Sequence, residues 1–102
     1  RRAAALLDAR CTESLGLDEL SAAAGLSPAH LVRAFKQHYG LTPHAYQINR
    51  RIQYCRAQLR AGHALAEVAL AAGFADQAHM QRAFKRLMAA TPGQYRRPRS
   101  RP

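Results

Sequence analysis

At 102 residues the chain has room for one or two small helical units, and 16 Lys and Arg against 6 Asp and Glu give it a formal charge of +10. No segment approaches the ~20 consecutive apolar residues of a membrane span, and the first residues lack the apolar core and cleavage pattern of a secretory signal, so a cytoplasmic protein is expected. Two isolated cysteines exclude a disulfide framework or a zinc cluster. No phosphate loop, nucleophile elbow or carboxylate pair is present, so neither enzyme activity nor a cofactor or metal is expected.

In chain order, Ala3, Leu6, Leu7 and Cys11 form an apolar stripe that predicts a first helix over residues 2–10. A link at 12–16 leads to a short helix at 17–24, whose early acids Asp18 and Glu19 suit a helix N-terminus. Gly25 then supplies a left-handed turn, and Ser27 with Pro28 makes an N-cap and first-turn pair for a helix ending near Tyr39. In that helix Leu31, Ala34, Phe35 and either His38 or Tyr39 face inward; Ala29, Val32, Arg33, Lys36 and Gln37 face outward. Gly40 closes it, and Thr42 with Pro43 opens a long helix to about Ala61, with Ile48, Ile52, Cys55 and Leu59 on one face and Arg50, Arg51, Arg56 and Arg60 on the rest. About 19 residues at 1.5 Å rise make a rod of about 28 Å, comparable with the ~34 Å between successive major grooves on one DNA face, which suits a spacer.

After Gly62 the pattern repeats. Residues 65–85 read LAEVALAAGFADQAHMQRAFK, against LDELSAAAGLSPAHLVRAFK at 17–36. Leu17 falls on Leu65, Gly25 on Gly73 and, after one inserted residue, His30 on His79 and the Arg-Ala-Phe-Lys run on its second copy; Thr42, Pro43 and Tyr46 match Thr91, Pro92 and Tyr95. Each copy is a helix, a tight turn and a helix, and two in register are a strong signal of a duplicated helix-turn-helix. In the second copy Asp76 is the expected cap, and Met80, Ala83, Phe84, Leu87 and Met88 form the inner face. Gln77, Ala78, Gln81, Arg82, Lys85 and Arg86 collect on the outer face. Gln can pair with adenine and Arg with guanine in the major groove, whereas Ala29 and Val32 in the first copy offer only apolar contact to thymine methyls. No acid lies between Glu19 and Glu67 and none follows Asp76, so both reading helices stand in basic surroundings that favour a polyanion.

These residues resemble the DNA-binding domain of the AraC/XylS family of bacterial transcription regulators, over nearly the whole chain to about Arg96. The most specific part runs from Arg51 and Ile52 through Leu59, AEVALAAGF, the spacing to Met80 and Phe84, and TPGQYR at 91–96. The resemblance implies an all-α fold of seven helices, with two helix-turn-helix subdomains of homeodomain-like type joined by a long linker helix. The expected divisions are a first subdomain at 1–42, the linker at 43–61, a second subdomain at 62–96 and a basic disordered tail at 97–102. It implies base contacts from Ala29, Val32 and Arg33 in the first unit and from Gln77, Ala78, Gln81 and Arg82 in the second. Phosphate contacts are expected from Lys36, Arg50, Arg51, Lys85, Arg86 and Arg96. Ala29 and Val32 lack the larger polar groups some relatives carry there, and Cys55 stands where the family usually has alanine.

The expected partner is double-stranded DNA, bound by a monomer at an asymmetric site of two boxes, because the halves differ at Val32/Gln81 and the inserted Gln77. RNA polymerase is a second expected partner, and the nucleoid the expected location. Most relatives carry an effector or dimerisation domain as well; the chain looks like a domain cut from such a regulator, and small stand-alone members exist too. The competing reading of the same charge is a sequence-indifferent architectural or RNA-binding module.

Overall fold

The computed structural model describes residues 1–96, and the tail expected at 97–102 lies outside them. The described residues form seven helices and no strand: α1 (Arg2–Arg10), α2 (Leu17–Ala24), α3 (Pro28–Tyr39), α4 (Pro43–Arg60), α5 (Leu65–Ala71), α6 (Gln77–Met88) and α7 (Pro92–Tyr95). They belong to two compact units whose division falls between Arg50 and Arg51, so α4 contributes its first half to one unit and its second half to the other.

Local backbone chemistry sets the helix ends. After α2, α4 and α5 the chain closes in one and the same way. The N–H groups of Gly25, Gly62 and Gly73 donate to Ala22, Leu59 and Leu70, and those of the next residues, Leu26, His63 and Phe74, donate to Ser21, Gln58 and Ala69. This is the Schellman closure; it demands a left-handed residue, and the three glycines have φ of +70°, +92° and +94°. The ends of α3 and α6 use a simpler left-handed closure, with Gly40 N–H donating to Lys36 O and Ala89 N–H to Lys85 O. Ala89 holds φ +54° and is the one described non-glycine residue with positive φ. An L-residue there costs about 1 to 2 kcal/mol. Ala89→Gly is therefore expected to raise stability by ~0.5 to 1 kcal/mol, read as a higher urea midpoint at unchanged slope; a lower midpoint would contradict this geometry.

In the first unit α1 packs on α2 and α2 on α3. Ala3, Ala4, Leu7, Leu15, Leu20, Leu31 and Phe35 form the core, with Leu6, Leu26, Tyr39 and Tyr46 against it. Ala4 joins the α1 stripe, while Leu6 and Cys11 reach it only partly. Of the two candidates at the end of α3, Tyr39 turns inward and His38 is exposed. Tyr39 stacks beside Phe35 at 4.5 Å, and Tyr46 meets Phe35 edge-on at 5.2 Å. A buried glutamine completes the unit: Gln47 Nε2 donates to the carbonyls of Cys11 and Glu13 at 3.3 and 3.0 Å, tying the α1–α2 link to α4.

The acids of this unit are largely engaged internally. Arg10 bridges Glu13 and Glu19 at 2.9 and 3.1 Å, and its hydrogen bond holds the Glu13 carboxyl below its usual range. Asp8 accepts from Tyr46 Oη at 2.7 Å and pairs with Arg50 Nε at 3.2 Å. The Tyr46–Asp8 bond, with burial and the nearby negative charge, pushes the Tyr46 phenol from 10.0 up to about 12. Between those values the folded chain keeps a proton that the unfolded chain has released, so stability falls as pH rises through that window. Tyr46→Phe should remove this component of alkaline destabilisation. Urea midpoints measured from about pH 9 to 11.5 should fall less steeply for the variant than for the wild type, and equal slopes would contradict the bond.

In the second unit Ile52, Cys55 and Leu59 on α4 have zero exposure, as do Ala69, Ala72, Met80 and Phe84. The Schellman closure after α5 drives Phe74 inward, to 3% exposure, a core residue the heptad-like spacing of the helices does not predict. Phe84 meets Tyr95 edge-on at 5.2 Å, and the guanidiniums of Arg56 and Arg60 cover the Tyr95 ring. Leu87, expected on the inner face of α6, is 44% exposed and Met88 only half-buried. The fully buried stripe ends one turn beyond Met80, at Ala83 and Phe84, and the four-residue α7 is too short to cover its far edge.

Candidate nucleic-acid interface

Each unit presents one helix whose N-terminus is fixed by a side-chain cap. Ser27 Oγ accepts from His30 N–H at 3.3 Å at the start of α3, and Asp76 Oδ1 accepts from His79 N–H at 2.7 Å at the start of α6. Equating the two caps corrects the register of the repeat. The extra residue of the second copy lies in the turn, where two residues separate Gly73 from Asp76 and one separates Gly25 from Ser27. Gln77 is thus no insertion; it takes the first-turn position held by Pro28 in α3. The capped backbone N–H groups belong to the two equivalent histidines, and the His79 ring stands edge-on to Phe74 at 5.1 Å.

On α6, Met80, Ala83 and Phe84 are buried, and Ala78, Gln81, Arg82, Lys85 and Arg86 are exposed on the other side. Ala78, Gln81, Arg82 and Lys85 converge on a shallow depression whose far wall is Thr91 and Pro92. That wall is held by the start of α7, where Thr91 Oγ1 accepts from Gln94 N–H at 3.3 Å and Gln94 Oε1 accepts from Thr91 N–H at 2.9 Å. Gln77 is half-buried and does not line the depression. Thr91 and Pro92 repeat Thr42 and Pro43, and each pair lines the depression beside the presenting helix of its unit.

On α3, Ala29, Arg33, Lys36 and Gln37 are exposed, and Val32 is half-buried. Val32 lies in an apolar depression with Leu17, Leu20, Thr42 and Pro43, on the side of α3 that corresponds to the depression beside α6. The first unit therefore shows Arg33 and Lys36 as its cations and no amide in the first turn of the helix.

Three arginines expected at phosphates have internal partners. Arg50 pairs with Asp8, and the Arg51 guanidinium lies over the Phe74 ring at 5.8 Å. Arg96 donates to the carbonyls of His63 and Gly62 at 3.0 and 3.3 Å, closing the carbonyls that follow α4. Lys36, Lys85 and Arg86 are exposed cations on the two presenting helices.

A helix-turn-helix domain family matches residues 20–98, most of the chain. The chain is 42% identical over 82 residues to the HTH-type transcriptional regulator MtrA of Neisseria gonorrhoeae, a match covering 79% of this chain and 27% of that protein. The AraC-type DNA-binding domain structure from Chromobacterium violaceum superposes with a TM-score of 0.87 at 28% identity, over 93% of this chain and 86% of that one. The chain belongs to the AraC-type helix-turn-helix family. The DNA-binding domain of AdpA, a global transcriptional factor solved in complex with a target DNA, has the same fold, with a TM-score of 0.84 at 23% identity, over 91% of this chain and 85% of that one. This AraC-type domain spans about a quarter of the length of the curated relatives it matches.

Proposed function

We propose that this AraC-type domain binds double-stranded DNA sequence-specifically to regulate transcription, with α3 and α6 each entering a major groove. The observation that carries the reading is the outer face of α6. Gln81, Arg82 and Lys85 converge there, opposite the buried Met80, Ala83 and Phe84, on a helix whose start is locked by Asp76. Arg can donate two parallel hydrogen bonds to guanine and Gln can pair with adenine, so the face suits base edges rather than charge alone. Arg33 and Arg82 are the principal readers in this proposal, with Ala29, Val32, Ala78, Gln81 and the half-buried Gln77 around them. Lys36, Lys85 and Arg86 position the helices on phosphates. Arg50, Arg51 and Arg96, whose guanidiniums also hold Asp8, Phe74 and the carbonyls after α4, are secondary phosphate contacts in this proposal.

One monomer reads two unlike boxes, with α4 as the proposed spacer. Recruitment of RNA polymerase, action at the bacterial nucleoid and dimerisation through a further domain of the full-length protein complete the proposal. Equilibrium competition tests its core. The preferred duplex should outcompete random duplex by ~10³-fold or more at physiological salt. A ratio near one, or equal binding of RNA, would select the sequence-indifferent alternative.

A further inference from the structure

The two presenting helices share an alanine and an arginine at aligned positions but differ at two others, Gln77 against Pro28 and Gln81 against Val32. Where α6 has Gln77, Ala78, Gln81 and Arg82, the cap alignment gives α3 Pro28, Ala29, Val32 and Arg33. Pro28 has neither an N–H nor a side-chain donor, Ala29 is exposed, and Val32 carries only methyl groups. Val32 also has little side-chain freedom. It is half-buried, lines a depression with Leu17, Leu20, Thr42, Pro43, His44 and Gln47, and as a β-branched residue in a helix has one strongly preferred χ1. On the side of Ala29 and Val32, what remains exposed in the first turns of α3 is apolar, flanked by the Arg33 guanidinium and the His30 imidazole. The major groove offers one sizeable apolar group, the C5-methyl of thymine; apart from the small C5–H of cytosine, the other groups on its floor are donors or acceptors that such a surface leaves unpaired.

We propose that the first unit reads its box through pyrimidine C5-methyl groups, with Val32 and Ala29 as the contacting side chains, and that its binding is therefore set by the methylation state of the pyrimidine ring. The second unit shares the alanine, at Ala78, but carries Gln81 in place of Val32, so it reads mainly through hydrogen bonds and depends less on that methyl. The inference rests on duplex reading by α3 and names the chemical group read.

Deoxyuridine in place of thymidine removes the methyl and leaves base pairing intact, so the test uses the duplex recovered by selection with each box substituted in turn. Substitution in the first box should weaken binding about fourfold per contacted methyl, the value of one buried methyl group. The same change in the second box should cost less, at most about the fourfold of a single methyl at Ala78, because Gln81 and Arg82 pair with groups that deoxyuridine keeps. Ala29→Gly, at an exposed position, and Val32→Ala should each reduce the thymidine-to-deoxyuridine ratio of the first box. Equal affinity for both forms of that box, a first box without thymine, equal sensitivity of both boxes, or a ratio unchanged in both variants would overturn the proposal. Each of those results leaves duplex reading standing, which fails separately if no duplex is preferred.

Discussion

Phe84→Ala should destabilise the protein by ~3 to 5 kcal/mol, the usual cost of truncating a buried phenylalanine. Phe84 has zero exposure and carries the Tyr95 contact that ties α7 to α6, so its loss leaves a void and frees the ring that Arg56 and Arg60 cover. A domain of this size has a total stability of roughly 5 to 15 kcal/mol, so the variant is expected to approach unfolding at room temperature. Phe35→Ala should act similarly in the first unit, where Phe35 is 3% exposed and holds the Tyr39 and Tyr46 rings. Phe84→Leu, which refills most of the space, should recover most of the loss. Urea unfolding followed by circular dichroism reads all three, and a wild-type midpoint for either alanine variant would mean that the inner faces of α3 and α6 have been misassigned.

Arg82→Ala is expected to cost about 1 to 3 kcal/mol of binding on the preferred duplex and far less on random duplex. Its side chain is exposed beside Gln81 and Lys85 and buries nothing in the core, so folding should be unchanged. A phosphate contact behaves differently: Lys85→Ala should weaken all sequences alike and lower the dependence of affinity on salt by about one ion. Titration of both variants against both duplexes separates the roles, and equal losses for Arg82→Ala on the two duplexes would demote Arg82 to a phosphate contact.

Much of this molecule was legible in the residues because its helix ends use strong local signals. Ser27 and Pro28, Asp76, Thr91 and Pro92 mark starts, and Gly25, Gly40, Gly62 and Gly73 mark ends, through chemistry that involves only neighbours a few positions away. Ile52, Cys55 and Leu59 were equally plain, since helical spacing reports a buried face directly. What the pattern could not report was long-range pairing. Gln47 is buried because two carbonyls more than thirty positions earlier accept its amide, and Arg96 is engaged because the carbonyls of Gly62 and His63 come within its reach. The exposure of Leu87 escaped for a related reason: periodicity gives the centre of a buried stripe, not how far the covering element extends. In the candidate interface the outer faces of α3 and α6 were readable, while the half-burial of Val32 and Gln77 depended on the walls around them.

The central claim is that two unlike helices on one chain read two unlike DNA boxes. Selection of binding sites from a pool of random duplexes, with the stoichiometry of the winning complex measured, tests it most directly. The expected winner is an asymmetric motif of two boxes bound by one monomer, with more hydrogen-bond-determined positions in the box assigned to α6. A palindrome bound by two molecules, or a pool that yields no motif while still binding tightly at low salt, would contradict it.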